Sequence, residues 1–203
     1  MDKRIQKEFT DIYEERRWGN NPLSGPGSTH EVTAPLLPQV CKLLRDREIK
    51  SIIDVGCGDA SWISQIPWHD MGIKYLGCDI VHQLIEDCQA KYTSQNMRFC
   101  VRDAATSQIP RYDLIIWRDV AIHLTNEEVN AAISKFRASG SKYLLATTFP
   151  ETLINTDIVT GDWRILNMTM EPFDLGEPVC ILPEFSPDGN YLDKSLGLWD
   201  LGA

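Results

Sequence analysis

Seven strand-like runs interleaved with helical stretches predict an α/β fold with a mostly parallel sheet and a C-terminal antiparallel hairpin. Three observations carry this expectation. The run Ile52, Ile53, Val55 is short and β-branched, as a strand buried on both faces of a parallel sheet should be. It leads into Gly56-Cys57-Gly58, where two residues without a Cβ let the backbone turn sharply and approach a ligand closely. From there to Pro150 strands and helices alternate, the pattern of βαβ units.

Taken in order, residues 1–18 are charged, with Ile5, Phe9, Ile12 and Tyr13 spaced for an amphipathic helix packed on the domain edge. The glycines and prolines from Trp18 to Ser28 mark an ordered loop. Ser28 or Thr29 caps the next helix, which runs through Leu36, Leu37, Val40 and Leu43 to about Arg47, with Pro35 and Pro38 placed to split it. After the first strand a helix is expected near 60–66, its free N–H groups facing the crevice. Further strands are expected at Lys74–Ile80, Met97–Arg102, Tyr112–Asp119 and Tyr143–Phe149, and a helix from His82 to Tyr92. Thr125 and Glu128 open a helix over 125–138 with a capping box. Val179–Leu182 and Ser195–Leu201 form the terminal hairpin, turning at Pro187–Asn190. There is no internal repeat or low-complexity segment.

The 203 residues suit one domain with a sizeable core. It divides into N-terminal helices with a covering loop (1–47), a cofactor-binding core (48–150) and a substrate loop with the hairpin (151–203). A net charge of −9 disfavours a surface that tracks nucleic acid, since such binding rests on clustered Lys and Arg. The six cysteines form no Cys-x-x-Cys pair and no ligand set, which points to a reduced, cytoplasmic setting. Neither a signal peptide nor an apolar run of membrane-spanning length is expected.

The strand–glycine–helix junction is where open α/β sheets bind nucleotides. It lacks the Gly-Lys-Ser/Thr of a Walker loop and the third glycine of a dinucleotide fingerprint. Instead, Asp54-Val55-Gly56-Cys57-Gly58 resembles the first motif of class I S-adenosylmethionine-dependent methyltransferases. Asp79 ends the second strand about twenty residues on, where a carboxylate accepts bonds from ribose hydroxyls, although a helix cap would also place an Asp there. Asp103 ends the third strand, where this fold contacts adenine through a carboxylate and the next backbone N–H, that of Ala104. If the sheet is parallel, Asp54, Asp79 and Asp103 converge on one crevice. Arg118 at the end of the fourth strand suits the carboxylate of the cofactor's methionine part. His123, with Asp119 as orienting partner, suits a general base; a scaffold role is the alternative. Asp162, Trp163, Arg164 and Asn167 offer an acceptor, a flat apolar face and donors, a set that fits a sugar. Asp119, Asp162 and His123 have no diagnostic metal spacing, and no metal is assigned.

The resemblance extends over nearly the whole chain. Trp18 with Ser24–Ser28, Trp117-Arg118-Asp119 with His123, Thr147–Pro150, Gly161–Arg164 with Asn167, Pro172-Phe173 and Asp193–Trp199 are similar to a family of small class I methyltransferases. Its members stand alone or are appended to glycosyltransferases, among them a glycan-building fusion of large algal viruses. The one departure is Val55-Gly56, where relatives often carry Ala-Pro. The resemblance implies a Rossmann-like methyltransferase sandwich and S-adenosylmethionine as cofactor. It places Trp18, Ser28, Asp54, Gly56, Gly58, Asp79, Ile80, Asp103, Ala104 and Arg118 around the cofactor. It also implies O-methylation of a sugar hydroxyl on a glycan such as a rhamnose-containing one, in a host cytoplasm if the chain is viral. Alternatives are a small-molecule O-methyltransferase, a non-catalytic S-adenosylmethionine-binding module and, disfavoured by the missing glycine, an NAD-dependent oxidoreductase.

Overall fold

The computed structural model describes residues 2–186 and 189–202. Helix α1 (Lys3–Glu14) starts where the Asp2 side chain accepts from the N–H groups of Arg4 and Ile5, and it buries Ile5 and Ile12. The next helical stretch is split before Pro35 into α2 (His30–Thr33) and α3 (Leu36–Asp46), as the prolines predict. Strands β1 (Ser51–Val55), β2 (Lys74–Asp79), β3 (Met97–Val101), β4 (Leu114–Trp117) and β5 (Tyr143–Thr148) pair in parallel. Helices α4 (His82–Tyr92) and α5 (Asn126–Ala138) connect them, and α5 carries the expected capping box of Thr125 and Glu128. Strands β6 (Cys180–Pro183) and β7 (Ser195–Asp200) are antiparallel, β7 wedged between β5 and β6. The sheet order is β3-β2-β1-β4-β5-β7-β6. Of the turn expected at Pro187–Asn190, residues 187 and 188 lie outside those described.

Both faces of the sheet are covered, which explains the continuous apolar runs of β1, β4 and β5. On one face Leu36, Val40 and Leu44 of α3 pack with Trp62, Ile63 and Trp68. On the other, Val129, Ile133 and Phe136 of α5 pack with Trp117, Phe149 and Trp199. No described helix is long and apolar enough to cross a membrane.

The helix expected near 60–66 is replaced by turns and a single 3₁₀ turn at Ile63–Gln65. Ala60 adopts φ +52°, which breaks a right-handed helix at its start. Trp62, Ile63, Ile66 and Trp68 are all buried, a spacing that no one helical face can satisfy. The N–H groups of the turn consequently have other partners.

Candidate active site

The carboxyl edge of the parallel strands opens into a cleft of about 1060 Å³, its open mouth included. The glycine turn forms its floor. The N–H groups of Gly56 and Cys57 both donate to the carbonyl of Cys78, 2.7 and 2.9 Å away, tying the turn to β2. Gly56 has φ +86°, and a Cβ there would lie 2.3 Å from Val120 Cγ2. At Gly58 a Cβ would lie 2.1 Å from Ser24 Oγ. Only glycines leave backbone exposed to the cleft at both places.

The three strand-end carboxylates converge as the parallel sheet requires, and all line the cleft. Asp79 accepts from the N–H groups of Gly58 and Val81, each at 3.1 Å. Burial raises its carboxyl despite those bonds. Asp54 is 2% exposed and accepts only from the Tyr75 hydroxyl among the described residues, at 2.7 Å. Burial pushes it up to about 7 against the opposing pull of Tyr75 and Arg118. Asp103 accepts from Asp2 N, Ala105 N, Thr106 N and Thr106 Oγ1. Burial would raise this carboxyl, but those hydrogen bonds outweigh it and hold it below the ordinary range.

The end of β4 supplies a buried charge cluster. Arg118 forks onto Glu184, with Nε and Nη2 at 3.2 and 2.6 Å, and donates from Nη2 to the Gly27 carbonyl at 2.7 Å. Its Nη1 is 3.2 Å from Asp119. Asp119, at φ +56°, receives Lys194 Nζ at 2.8 Å and Thr147 Oγ1 at 3.1 Å. Its burial penalty is outweighed by Arg118 and Lys194, which hold its carboxyl well below the usual range. Its expected task of orienting His123 is not what the hydrogen bonds show. His123 Nδ1 instead lies 2.8 Å from the carbonyl of Asp162. A carbonyl only accepts, so that bond assigns the proton to Nδ1 and leaves the lone pair on Nε2. The ring stacks on Trp18, centroids 4.5 Å apart. Burial lowers its pKa, so the imidazole is neutral at pH 7.

The roof is the N-terminal segment: the loop from Trp18 to Ser28 covers the cleft as expected, and α1, expected on the domain edge, forms part of the same wall. Ile5, Phe9, Ile12 and Tyr13 of α1 line the cleft together with Trp18, Leu23, Ser24 and Ser28. The roof is pinned where Asp59 N donates to Ser24 Oγ at 2.7 Å and Leu23 N to Asp59 Oδ2 at 2.8 Å. Asp59 N is one of the groups expected to head a helix; it caps this loop instead.

All ten residues expected around the cofactor line the cleft: Trp18, Ser28, Asp54, Gly56, Gly58, Asp79, Ile80, Asp103, Ala104 and Arg118. Asp119 and His123 line it too. Asp162, Trp163, Arg164 and Asn167 do not. Arg164 is buried, its guanidinium donating to Asn126 Oδ1 and to the carbonyls of Thr156 and Leu124. Asn167 is buried and bonds the carbonyls of Pro150 and Thr152. Both pin the segment after β5 rather than face the crevice. Trp163 is 46% exposed and packs on Tyr191, centroids 4.9 Å apart. Glu184 is not singled out by the sequence, and Lys194 stands out there only within the Asp193–Trp199 motif. Glu184 follows an apolar strand directly, and a charge so placed needs an opposite charge opposite it. Among the described residues no group of His, Cys, Asp and Glu could hold a metal ion.

The cleft fits a cationic nucleoside. It presents a backbone cradle at Gly56 and Gly58, an unpartnered oxygen on buried Asp54, and an apolar wall that includes Ile80, Val81 and Leu84. Comparison with known proteins points the same way. Residues 52–139 match a family described as a methyltransferase domain. A magnesium-protoporphyrin O-methyltransferase of Synechocystis is 32% identical over 108 residues, 50% of this chain. The matched stretch is 45% of that protein, so the chain spans less than half the curated relative. The crystal structure of magnesium protoporphyrin IX methyltransferase from Synechocystis with bound SAH superposes with a TM-score of 0.70 at 19% identity, over 98% of this chain and 99% of that one. Human N-acetylserotonin methyltransferase in complex with SAM gives 0.65 at 14% identity, over 96% of this chain and 59% of that one. Residues 52–139 therefore match a methyltransferase domain, and the chain has the Rossmann-like fold of the solved methyltransferases, of which magnesium protoporphyrin IX methyltransferase is seen with SAH and with SAM bound.

Proposed function

We propose that the chain is an S-adenosylmethionine-dependent O-methyltransferase that acts on a sugar hydroxyl of a glycan. The observation that carries the O-methyl reading is His123: a neutral imidazole in the cleft, oriented by the Asp162 carbonyl and Trp18, with no hydrogen-bond partner at Nε2 among the described residues. Bound S-adenosylmethionine would supply an already activated methyl group. The chain's part is alignment and removal of one proton. Asp54, Asp79 and the glycine cradle hold the cationic cofactor, while the roof excludes water. Nε2 takes the acceptor's hydroxyl proton as the oxygen attacks, a contribution of about 10²–10⁴-fold.

The sugar acceptor is supported by the motif resemblance and by two exposed aromatic rings, Trp163, which follows the carbonyl that holds His123, and Tyr191, which packs on Trp163. In this reading residues 1–47 cover the cofactor, 48–150 bind it and 151–203 meet the acceptor. A glycosyltransferase, fused or associated, would deliver the glycan. A cytoplasmic setting suits the six free cysteines. The relative named for magnesium-protoporphyrin favours a second reading, a small-molecule acceptor. Incubation with S-adenosylmethionine and parallel panels of rhamnose-containing glycans and small hydroxyl or carboxyl acceptors, read by mass spectrometry, separates the two. A methyl added to the glycans alone is expected; a methyl added only to small molecules would replace the sugar reading with the second.

A further inference from the structure

Two of the six free cysteines face each other across the sheet. Cys78 of β2 and Cys100 of β3 are direct partners in the parallel register, and their sulfurs are 3.4 Å apart. Neighbouring strands lie about 4.8 Å apart, within the ~4.4–6.8 Å Cα separation that a disulfide spans. The two thiols differ in access. β3 is the sheet edge and leaves Cys100 half-buried, whereas Cys78 is fully buried. They differ in acidity as well. Either sulfur can donate in that contact; with Cys78 donating, the bond lowers Cys100 and raises Cys78, and the Arg102 guanidinium favours the same sense by stabilising a Cys100 thiolate. Burial raises Cys41, Cys57 and Cys88, so none of these competes as a thiolate. An accessible, acidic thiol beside a second thiol is the arrangement of oxidation-sensitive cysteine pairs.

We propose that Cys100 is a modification site for hydrogen peroxide and that Cys78 resolves the product to a reversible disulfide. In the first step the Cys100 thiolate attacks one peroxide oxygen. An S–O bond forms, the O–O bond breaks, hydroxide leaves, and sulfur is oxidised to a sulfenic acid as peroxide is reduced. In the second, the Cys78 sulfur attacks the Cys100 sulfur. The S–S bond forms, the S–O bond breaks, and the departing hydroxide takes the Cys78 proton as water. The sulfurs must close from 3.4 Å to a bond of about 2.05 Å between strands held apart by their ladder. The disulfide would clamp the two strands whose carboxyl ends lead to Asp79 and Asp103.

The test treats the full chain with equimolar hydrogen peroxide, blocks remaining thiols and maps the peptides by mass spectrometry. The expected product is a Cys78–Cys100 cross-linked peptide from a chain lighter by two hydrogen atoms, restored by dithiothreitol. Cys100→Ser, at the half-buried position, should abolish it. Cross-linking that persists in Cys100→Ser would overturn the proposal. So would a wild-type map in which Cys41 or Cys180 oxidises before Cys100, or in which Cys100 becomes a sulfinic acid while Cys78 remains a thiol. The wild-type map decides even if a variant folds poorly.

Discussion

At the scale of single residues, His123 and Asp54 have opposite assignments because burial acts on opposite charge types. Burial favours neutral imidazole, so the proposed base is ready at pH 7 and is lost only on acidification below the ordinary histidine value. His123→Ala is expected to lower turnover about 10²–10⁴-fold with cofactor affinity near wild type. Trp18→Ala opens the stacked face, and the acidic limb of the pH–rate profile should move to higher pH. A limb that stays in place in Trp18→Ala would show that the stack does not tune the base. Asp54 is protonated below about 7 and ionised above it. S-adenosylmethionine carries one more positive charge than its demethylated product, so ionised Asp54 attracts it more. The ratio of the two affinities should rise as pH passes through that value, and titrations on either side read the ratio directly. Glu184 closes the account of Arg118. Glu184→Ala leaves a buried guanidinium with Asp119 as its one remaining carboxylate contact and the Gly27 carbonyl as its neutral partner, and should cost about 3 kcal/mol in urea unfolding.

At the scale of elements, the glycine turn and the roof make the site. Gly56→Ala meets both a left-handed φ and a half-buried Val120 methyl at 2.3 Å. It should destabilise the chain by about 1–3 kcal/mol and weaken cofactor binding through the displaced turn. Wild-type stability in thermal unfolding would mean that β1 and Val120 yield more easily than their packing suggests. Most elements are legible in the sequence because each one's pattern agrees with its place: β-branched runs for the buried strands, Thr125 and Glu128 for the start of α5, prolines for the break between α2 and α3. The missing helix near 60–66 was not legible. Its apolar spacing is dictated by two tryptophans packing under the sheet, and its backbone by a positive φ at Ala60, which no local propensity announces. The roof was legible as a covering loop preceded by an amphipathic helix; that the helix lines the cleft was not. What its apolar face covers depends on long-range contacts such as Asp2 N to Asp103 and Gln6 Nε2 to the Ile80 carbonyl.

At the scale of the whole molecule, the strand order brings residues far apart in sequence to one edge. That the residues expected around the cofactor share one cleft was legible because a parallel sheet places consecutive strand ends together, so position along the chain predicts position in the cleft. The residues after β5 were not, since a long irregular segment has no such rule, and Arg164 and Asn167 turn inward to satisfy backbone carbonyls. The same charge cluster links fold to pH. Asp119, depressed by Arg118 and Lys194, contributes stability that is present above the ordinary carboxyl value and lost as pH falls through its lowered one. Asp54, raised, works the other way: its contribution is fully present below the ordinary carboxyl value and is lost as pH rises from there through about 7. Cofactor binding should therefore stabilise the chain most where Asp54 is ionised. The most direct test is calorimetric titration of the purified chain with S-adenosylmethionine, S-adenosylhomocysteine and NAD, repeated with Asp79→Ala. Saturable one-to-one binding of the two sulfur nucleotides, none of NAD, and weakened binding in the variant is the result expected. Absence of binding by either sulfur nucleotide, or NAD binding in their place, would contradict the cofactor site on which the whole account rests.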